Sequence, residues 1–219
     1  MRWATLLAGC TFALGACSSG PLPPDWQLQA RPAIEASLKA ELDGDARSAE
    51  REFERGRALV ARTGQPALVA RVELMRCAAR AASLDFAPCD GFERWRADAA
   101  PAELAYADHL AGQPLAKDRI ELLPPAQRSA AATIAARGTP SLRDIEDPQS
   151  RLIAAALLLR AGLADPATLT LAADTASAQG WRKPLLAWLG VLVLRAERAG
   201  DAAAAAQLRR RIELVGGSR

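Results

Sequence analysis

Few side chains of this sequence have the chemistry for catalysis or metal binding. The chain has four cysteines and one histidine, His109, which lies beside Asp108 and near Tyr106 on a predicted short helix. A serine or cysteine nucleophile could use His109 as a base, but a surface or half-buried residue without a catalytic role is the expectation. No hydrolase, zinc-protease, phosphate-loop or dinucleotide-binding motif occurs. The sequence therefore predicts a protein that is not an enzyme and has no cofactor or metal, since two cysteines with one distant histidine are not a zinc site.

The first residues have the three parts of a secretory signal. Arg2 supplies a positive charge, residues 3–13 are uncharged and mostly apolar, and small residues precede Cys17. The apolar run is too short to span a membrane. The four residues LGAC ending at Cys17 resemble the lipobox of bacterial lipoproteins. LAGC ending at Cys10 also fits, but cleavage there would leave an apolar region at the lower limit for a signal.

The lipoprotein resemblance implies how the chain is processed and where it is held. In that family the cysteine takes a diacylglycerol, the signal is cut before it, and the new amino group is acylated, commonly with palmitate. Cys17 is therefore the expected lipidation site, after a signal of residues 1–16. Ser18 stands where an Asp usually retains lipoproteins in the inner membrane, so the outer membrane, periplasmic side, is the expected location. Residues 17–30, which include three prolines, are expected to be a flexible tether.

Two cysteines remain after the signal is removed and Cys17 is lipidated. Cys77 falls in a helical pattern and Cys89 in the loop after it. An even pair in an oxidising compartment favours a disulfide, and the loop can fold back on the helix. The alternative is two buried free thiols.

The rest of the chain predicts a single all-α domain over residues 31–219. Ala, Leu, Arg and Glu are abundant and no sustained period-2 alternation occurs. In the helix over 66–83, Leu68, Val72, Met75 and Ala79 form the apolar stripe, and the most apolar run, 184–199, is expected to be the buried helix of the core. Proline, glycine and aspartate punctuation sets the expected bounds. The predicted helices are 32–43, 46–62, 66–83, 92–99, 101–110, 125–137, 148–161, 166–178, 184–199 and 202–215, and prolines bound a short segment around 115–122.

Two segments repeat the same pattern. Gly44-Asp45 and Gly200-Asp201 each join two predicted helices, and an alanine follows four residues after each aspartate, at Ala49 and Ala205. Ala49 with Phe53 resembles the second helix of the tetratricopeptide repeat. The closing proline of that repeat is absent and the spacing is irregular. The resemblance implies stacked antiparallel helical hairpins of irregular length, as an irregular α-solenoid or bundle.

The net charge of the chain and its predicted periplasmic location limit the kinds of partner that we expect. Loss of Arg2 with the signal lowers the formal net charge from +3 to +2. Such a small positive charge does not indicate nucleic-acid binding. The densest basic run, 209–211, is expected to be a solvated helix face, with anionic lipid as the alternative contact. Trp95 and Trp181 are expected to be packing residues. The leading hypothesis is a membrane-anchored scaffold that binds another protein of the envelope; the alternatives are an enzyme acting on peptidoglycan and a carrier of an apolar ligand.

Overall fold

The computed structural model describes residues 23–138 and 141–217, and within them the chain is all-α. The all-α prediction is confirmed, and no strand occurs in these ranges. Apart from one 3-10 turn at Arg96–Asp98, the helices are α1 (Asp25–Asp43), α2 (Ala46–Ala61), α3 (Pro66–Ala82), α4 (Asp90–Glu93), α5 (Pro101–Leu110), α6 (Lys117–Ile120), α7 (Pro125–Ala136), α8 (Pro148–Arg160), α9 (Pro166–Gln179), α10 (Arg182–Arg198) and α11 (Ala202–Gly217).

The first helix begins earlier than its proline suggests. Pro32 was expected at the first helical position, but α1 starts at Asp25 and holds Pro32 in its interior. Ala30 is buried and Trp26 half-buried, and both pack on the cluster around Phe53. This packing stabilises the turns before Pro32 against the lost hydrogen bond of the proline. The prediction of a flexible tether over residues 17–30 is therefore wrong for residues 25–30, which are helical. Residues 17–22 lie outside the described residues.

The prediction of one short helix over residues 92–99 is also wrong. The chain instead forms α4, which ends at Glu93, and then the separate 3-10 turn. Trp95 stands between them with φ −114° and ψ 6°, outside the α-helical region. Phe92 is fully buried, and its packing fixes this segment although it is too short for a regular helix.

The two matching turns have the same structure. Gly44 and Gly200 adopt φ of +80° and +71°, the left-handed conformation that ends a helix. Asp45 then accepts a hydrogen bond from the Ser48 amide at 3.0 Å, and Asp201 accepts one from the Ala204 amide at 2.9 Å. Each aspartate caps the next helix, so α1 and α2, and α10 and α11, pack as antiparallel hairpins.

Small residues let the first hairpin close tightly. Ala49 is buried, and its carbonyl oxygen accepts a hydrogen bond from the Ser37 hydroxyl at 2.9 Å. A Cβ atom on Gly56 of α2 would lie 2.7 Å from Ile34 Cγ1 on α1, closer than real Cβ contacts. Glycine at 56 is therefore required by the approach of the two helices.

The buried helix of the core is α8, and not α10 as the sequence predicts. Every residue from Leu152 to Leu158 is buried, because α3, α7 and α9 all pack on α8. Helix α10 buries one side, including Trp188, whose indole N–H donates to the Ala82 carbonyl at 3.2 Å. Its other side reaches solvent, and Leu194 is 54% exposed. In the part of the chain that the structure describes, no helix combines the length and apolarity needed to cross a bilayer.

The first and last hairpins contact each other. Helix α1 packs on α10, and the Lys183 ammonium forms an ion pair with Glu41. Gly44 lies against the Lys183 side chain, whose Cβ would be 3.7 Å from a Cβ on that glycine. The N-terminal hairpin is therefore held by the C-terminal one as well as by its sequence neighbour α3.

Candidate functional site

An apolar groove of about 420 Å³ lies between α3, α5 and residues 122–125, and we call it the apolar groove. Arg71, Leu74 and Met75 line it from α3, at the three- and four-residue spacing that places side chains on one helix face. Met75, expected in the buried stripe of α3, is 37% exposed here. Tyr106 of α5 forms part of the opposite wall and is half-buried.

The third wall is the connection from α6 to α7. Leu123 is buried in a small cluster with Ala105, and its carbonyl accepts a hydrogen bond from the Arg128 guanidinium at 2.9 Å. Pro124 and Pro125 follow, and each proline ring fixes its backbone φ angle. Leu122, just before this anchored stretch, is 42% exposed and lines the groove. The groove therefore has exposed apolar side chains, and the backbone of its third wall is fixed by the buried Leu123, the Arg128 hydrogen bond and the two prolines.

An ion pair between Arg71 and Glu103 forms one part of the groove lining. Arg71 donates from Nε to Glu103 Oε1 at 2.8 Å, and its Nη2 lies 2.6 Å from the same oxygen. The Glu103 side chain is almost fully buried, whereas that of Arg71 is mostly exposed. Glu103 Oε2 is buried with no hydrogen-bond partner among the described residues. A buried acceptor without a donor costs about 1–3 kcal/mol.

The loop after α3 is closed by the predicted disulfide. Cys77 and Cys89 are bonded, with Cα atoms 6.0 Å apart, which confirms that pairing. Within the loop, Arg80 donates to both carboxylate oxygens of Asp85, at 2.8 and 3.1 Å. The Arg80 hydrogen bond lowers the pKa of Asp85 below its ordinary value. The loop is therefore fixed to α3 at both its start and its end.

Charged side chains gather on the far side of the disulfide, and four of them form two ion pairs. Arg57 donates to Glu73 at 2.7 Å, and Arg76 pairs with Glu50 while it lies 4.4 Å from the centre of the Phe53 ring. Gly91 packs directly on the Glu73 carboxylate, where a Cβ atom would be 2.1 Å from Oε2. These contacts join α2, α3 and α4 and explain the cluster as a structural one.

His109 is buried, contrary to the surface or half-buried position that the sequence suggests. It is 3% exposed, and burial lowers its pKa to about 4. Its Nε2 lies 3.4 Å from Gln127 Oε1, and Gln127 Nε2 donates to the Ser150 carbonyl at 2.9 Å. Since the Gln127 amide donates to Ser150, its oxygen faces His109, and the imidazole donates to it. His109 therefore links α5 to α7 and α8 as a neutral residue.

Four of the described aspartates, Asp45, Asp85, Asp108 and Asp165, have a lowered pKa. A glycosidase general acid needs the opposite direction, since it must hold its proton near neutral pH. Residues 23–138 and 141–217 also contain no group of three His, Cys, Asp or Glu side chains arranged to hold a metal ion.

The remaining predicted residues lie in different places. Cys17 and Cys10 are outside the described residues. Trp95 and Trp181 pack against the main core, as expected, and the Trp95 indole N–H is buried without a described partner. Arg209 pairs with Glu197 of α10, so the basic run is attached to the neighbouring helix at its first residue. None of these residues lines the apolar groove, which the sequence did not indicate.

The chain matches no protein-family profile, no curated protein and no solved structure.

Proposed function

We propose that this protein is a lipid-anchored, non-catalytic scaffold on the periplasmic side of the outer membrane, and that its apolar groove binds a protein partner. The lipobox residues ending at Cys17, followed by Ser18, support the anchor and the location. The Cys77–Cys89 disulfide supports an oxidising compartment, because disulfides are rare in proteins kept in a reducing cytosol.

The observation that carries the partner-binding role is the exposure of Met75 and Leu122 on two walls of one groove. Exposed apolar side chains that converge on a concave surface are typical of interaction sites, whereas scattered ones are ordinary. The proposed occupant is a segment of an envelope protein that inserts a large apolar side chain between them.

A position-specific crosslink tests this proposal in cells. A photoreactive amino acid replaces Leu122 in the groove or, as the control, Leu28, an exposed leucine of α1. The expected result is one reproducible partner band from position 122 that is absent from position 28. Met75→Glu is expected to weaken the band, because the carboxylate would lose its hydration when the partner enters.

The anchor is tested in the same assay. Cys17→Ala is expected to reduce the crosslink by removing the chain from the membrane that holds its partner. Equal bands from positions 122 and 28, or a band that Met75→Glu leaves unchanged, would contradict binding in the groove. An unchanged band with Cys17→Ala would contradict only the anchored arrangement.

A small apolar ligand is the second candidate occupant. The volume of about 420 Å³ falls within the range of small-molecule sites, which is the observation in its favour. Native mass spectrometry of protein purified from the envelope distinguishes the two candidates. A bound small molecule that is lost with Leu122→Trp supports the carrier, since the indole would fill the groove.

A further inference from the structure

The outward side of α10 combines apolar residues with cations at both ends. Its buried residues lie on one side only, and two adjacent rows at four-residue spacing are half-buried or exposed. The rows are Arg182, Leu186, Gly190, Leu194 and Arg198, and Lys183, Ala187 and Arg195; Val191, in the second row, packs against the main core. We call this surface the α10 face. No atom lies within 4 Å of the position that a Cβ on Gly190 would take, so the middle of the face is open.

Charge is distributed unevenly between this hairpin and the rest of the chain. Residues 181–217 contain seven Lys and Arg against three Asp and Glu, a net charge of +4. The whole chain carries +3 and Arg219 adds one positive charge, so residues 1–180 carry 3 − 4 − 1 = −2. The C-terminal hairpin is therefore a basic region on an otherwise acidic chain.

Most of these cations are not neutralised within the described part of the protein. Lys183 pairs with Glu41 and Arg209 with Glu197. Arg182 donates to the Val215 and Gly216 carbonyls at the end of α11, both at 3.2 Å. Arg195, Arg198, Arg210 and Arg211 have no described carboxylate partner, and the first three are exposed. Of the three acids, Glu197 is paired and Asp201 caps α11.

An apolar strip that ends in Arg195 and Arg198, which have no described carboxylate partner, fits a flat anionic surface. The row from Arg182 to Arg198 spans about 24 Å at 1.5 Å per residue. In a helix that lies in a membrane interface, the apolar side chains enter the acyl boundary while arginine side chains extend to the phosphates. Helix α10 is not long and apolar enough to cross a bilayer.

We infer that the α10 face docks on the anionic phospholipid surface of a membrane. This contact goes beyond the proposed function, since it requires neither the groove nor the acyl chains at Cys17. It gives the domain a second attachment, which fixes the orientation of the other helices relative to the bilayer.

A fluorescent probe on the α10 face tests the inference. The full chain carries Cys10→Ala and Cys17→Ala, so that no acyl chain is added and no other free thiol reacts, and Gly190→Cys is labelled with an environment-sensitive dye. Gly190 has open space around it. The matched control carries the dye at Ala132→Cys, an exposed position of α7. The vesicles are phosphatidylethanolamine with phosphatidylglycerol, or phosphatidylcholine alone.

The expected result is a blue shift and protection from aqueous quencher at position 190 with anionic vesicles only, and neither change at position 132. Arg195→Glu with Arg198→Glu is expected to weaken vesicle binding at least about tenfold, since each basic residue near an anionic surface contributes roughly fivefold. Lys117→Glu with Arg143→Glu is the matched control. Both of these residues are exposed, have no described ion pair and change the net charge equally.

Three outcomes would overturn the inference. The first is an equal shift at position 190 with both kinds of vesicle, which would indicate insertion without charge recognition. The second is an equal loss of binding in the two charge variants, which would indicate attraction by net charge alone. The third is protection of position 190 without vesicles, accompanied by a dimer in sedimentation, which would make the face a contact between two copies.

Discussion

Replacing His109 by glutamine is expected to change how the stability of the fold depends on pH. In the folded chain the imidazole is buried among α5, α7 and α8, and burial lowers its pKa to about 4. In the unfolded chain the same group titrates near its ordinary value of about 6.5. As the pH falls below 6.5, the unfolded chain takes up a proton that the folded chain does not bind. The stability that the neutral histidine contributes is therefore complete above pH 6.5 and is lost as the pH falls toward 4.

The size of this effect follows from the difference between the two pKa values. One pKa unit corresponds to 1.36 kcal/mol, so a shift from 6.5 to about 4 corresponds to about 3 kcal/mol. His109→Gln removes the titration but keeps a donor for the Gln127 oxygen. The free energy of unfolding of the wild type, minus that of the variant, is expected to decrease by about 3 kcal/mol between pH 7 and pH 4.

Urea denaturation followed by circular dichroism at several pH values measures this difference. The other titrating groups act in both proteins, so subtraction leaves the contribution of His109. The chain has one histidine, and its imidazole proton resonance therefore reports the folded pKa without assignment. Parallel stability curves for the two proteins, or a folded imidazole that titrates near pH 6.5, would refute the argument from burial.

Four further variants test helix packing, the disulfide and a helix cap. Gly56→Ala is expected to destabilise the fold by about 1–3 kcal/mol, because the added methyl group overpacks against α1. Gly190→Ala, in the open part of α10, is expected to stabilise the fold by up to about 1 kcal/mol. The midpoints of urea denaturation measure the direction of both changes. Replacing Cys77 and Cys89 by serine is expected to cost about 3 kcal/mol, seen as a lower thermal midpoint that matches the wild type under reducing conditions. Asp201→Ala should cost about 1 kcal/mol through the lost cap of α11, measured as reduced amide protection in its first turn.

The helices were predictable because their ends are set by local chemistry. Proline at the first helical position and a preceding aspartate mark α8 and α9, and Asp147 and Asp165 do accept hydrogen bonds from the amides three residues later. Gly44 and Gly200 end their helices in the left-handed conformation that favours glycine. The disulfide was predictable for a similar reason, since Cys77 and Cys89 are only 12 residues apart.

The groove and the extent of burial were not predictable, because both depend on contacts between distant segments. The groove is made by residues 71–75, 102–106 and 122–125, and Met75 has the same helical spacing as its buried neighbours. His109 is buried by Gln127, 18 residues later, and by α8. The long apolar run of α10 predicts that it is the buried helix, but burial depends on where the neighbouring helices lie. Helices α3, α7 and α9 bury every residue from Leu152 to Leu158 of α8, whereas α1, α9 and α11 leave one side of α10 half-buried or exposed.

The contact between α1 and α10 limits how this chain could change in length. An open array of helical hairpins grows or shrinks by whole units, because each unit touches only the next one. Here the Lys183–Glu41 ion pair and the Gly44 contact join the beginning of the chain to its last hairpin. An added or deleted hairpin would separate these surfaces and leave both exposed to water. The number of hairpins is therefore fixed by the closure of the fold, and the two ends are expected to exchange their amide hydrogens together, as one cooperative unit.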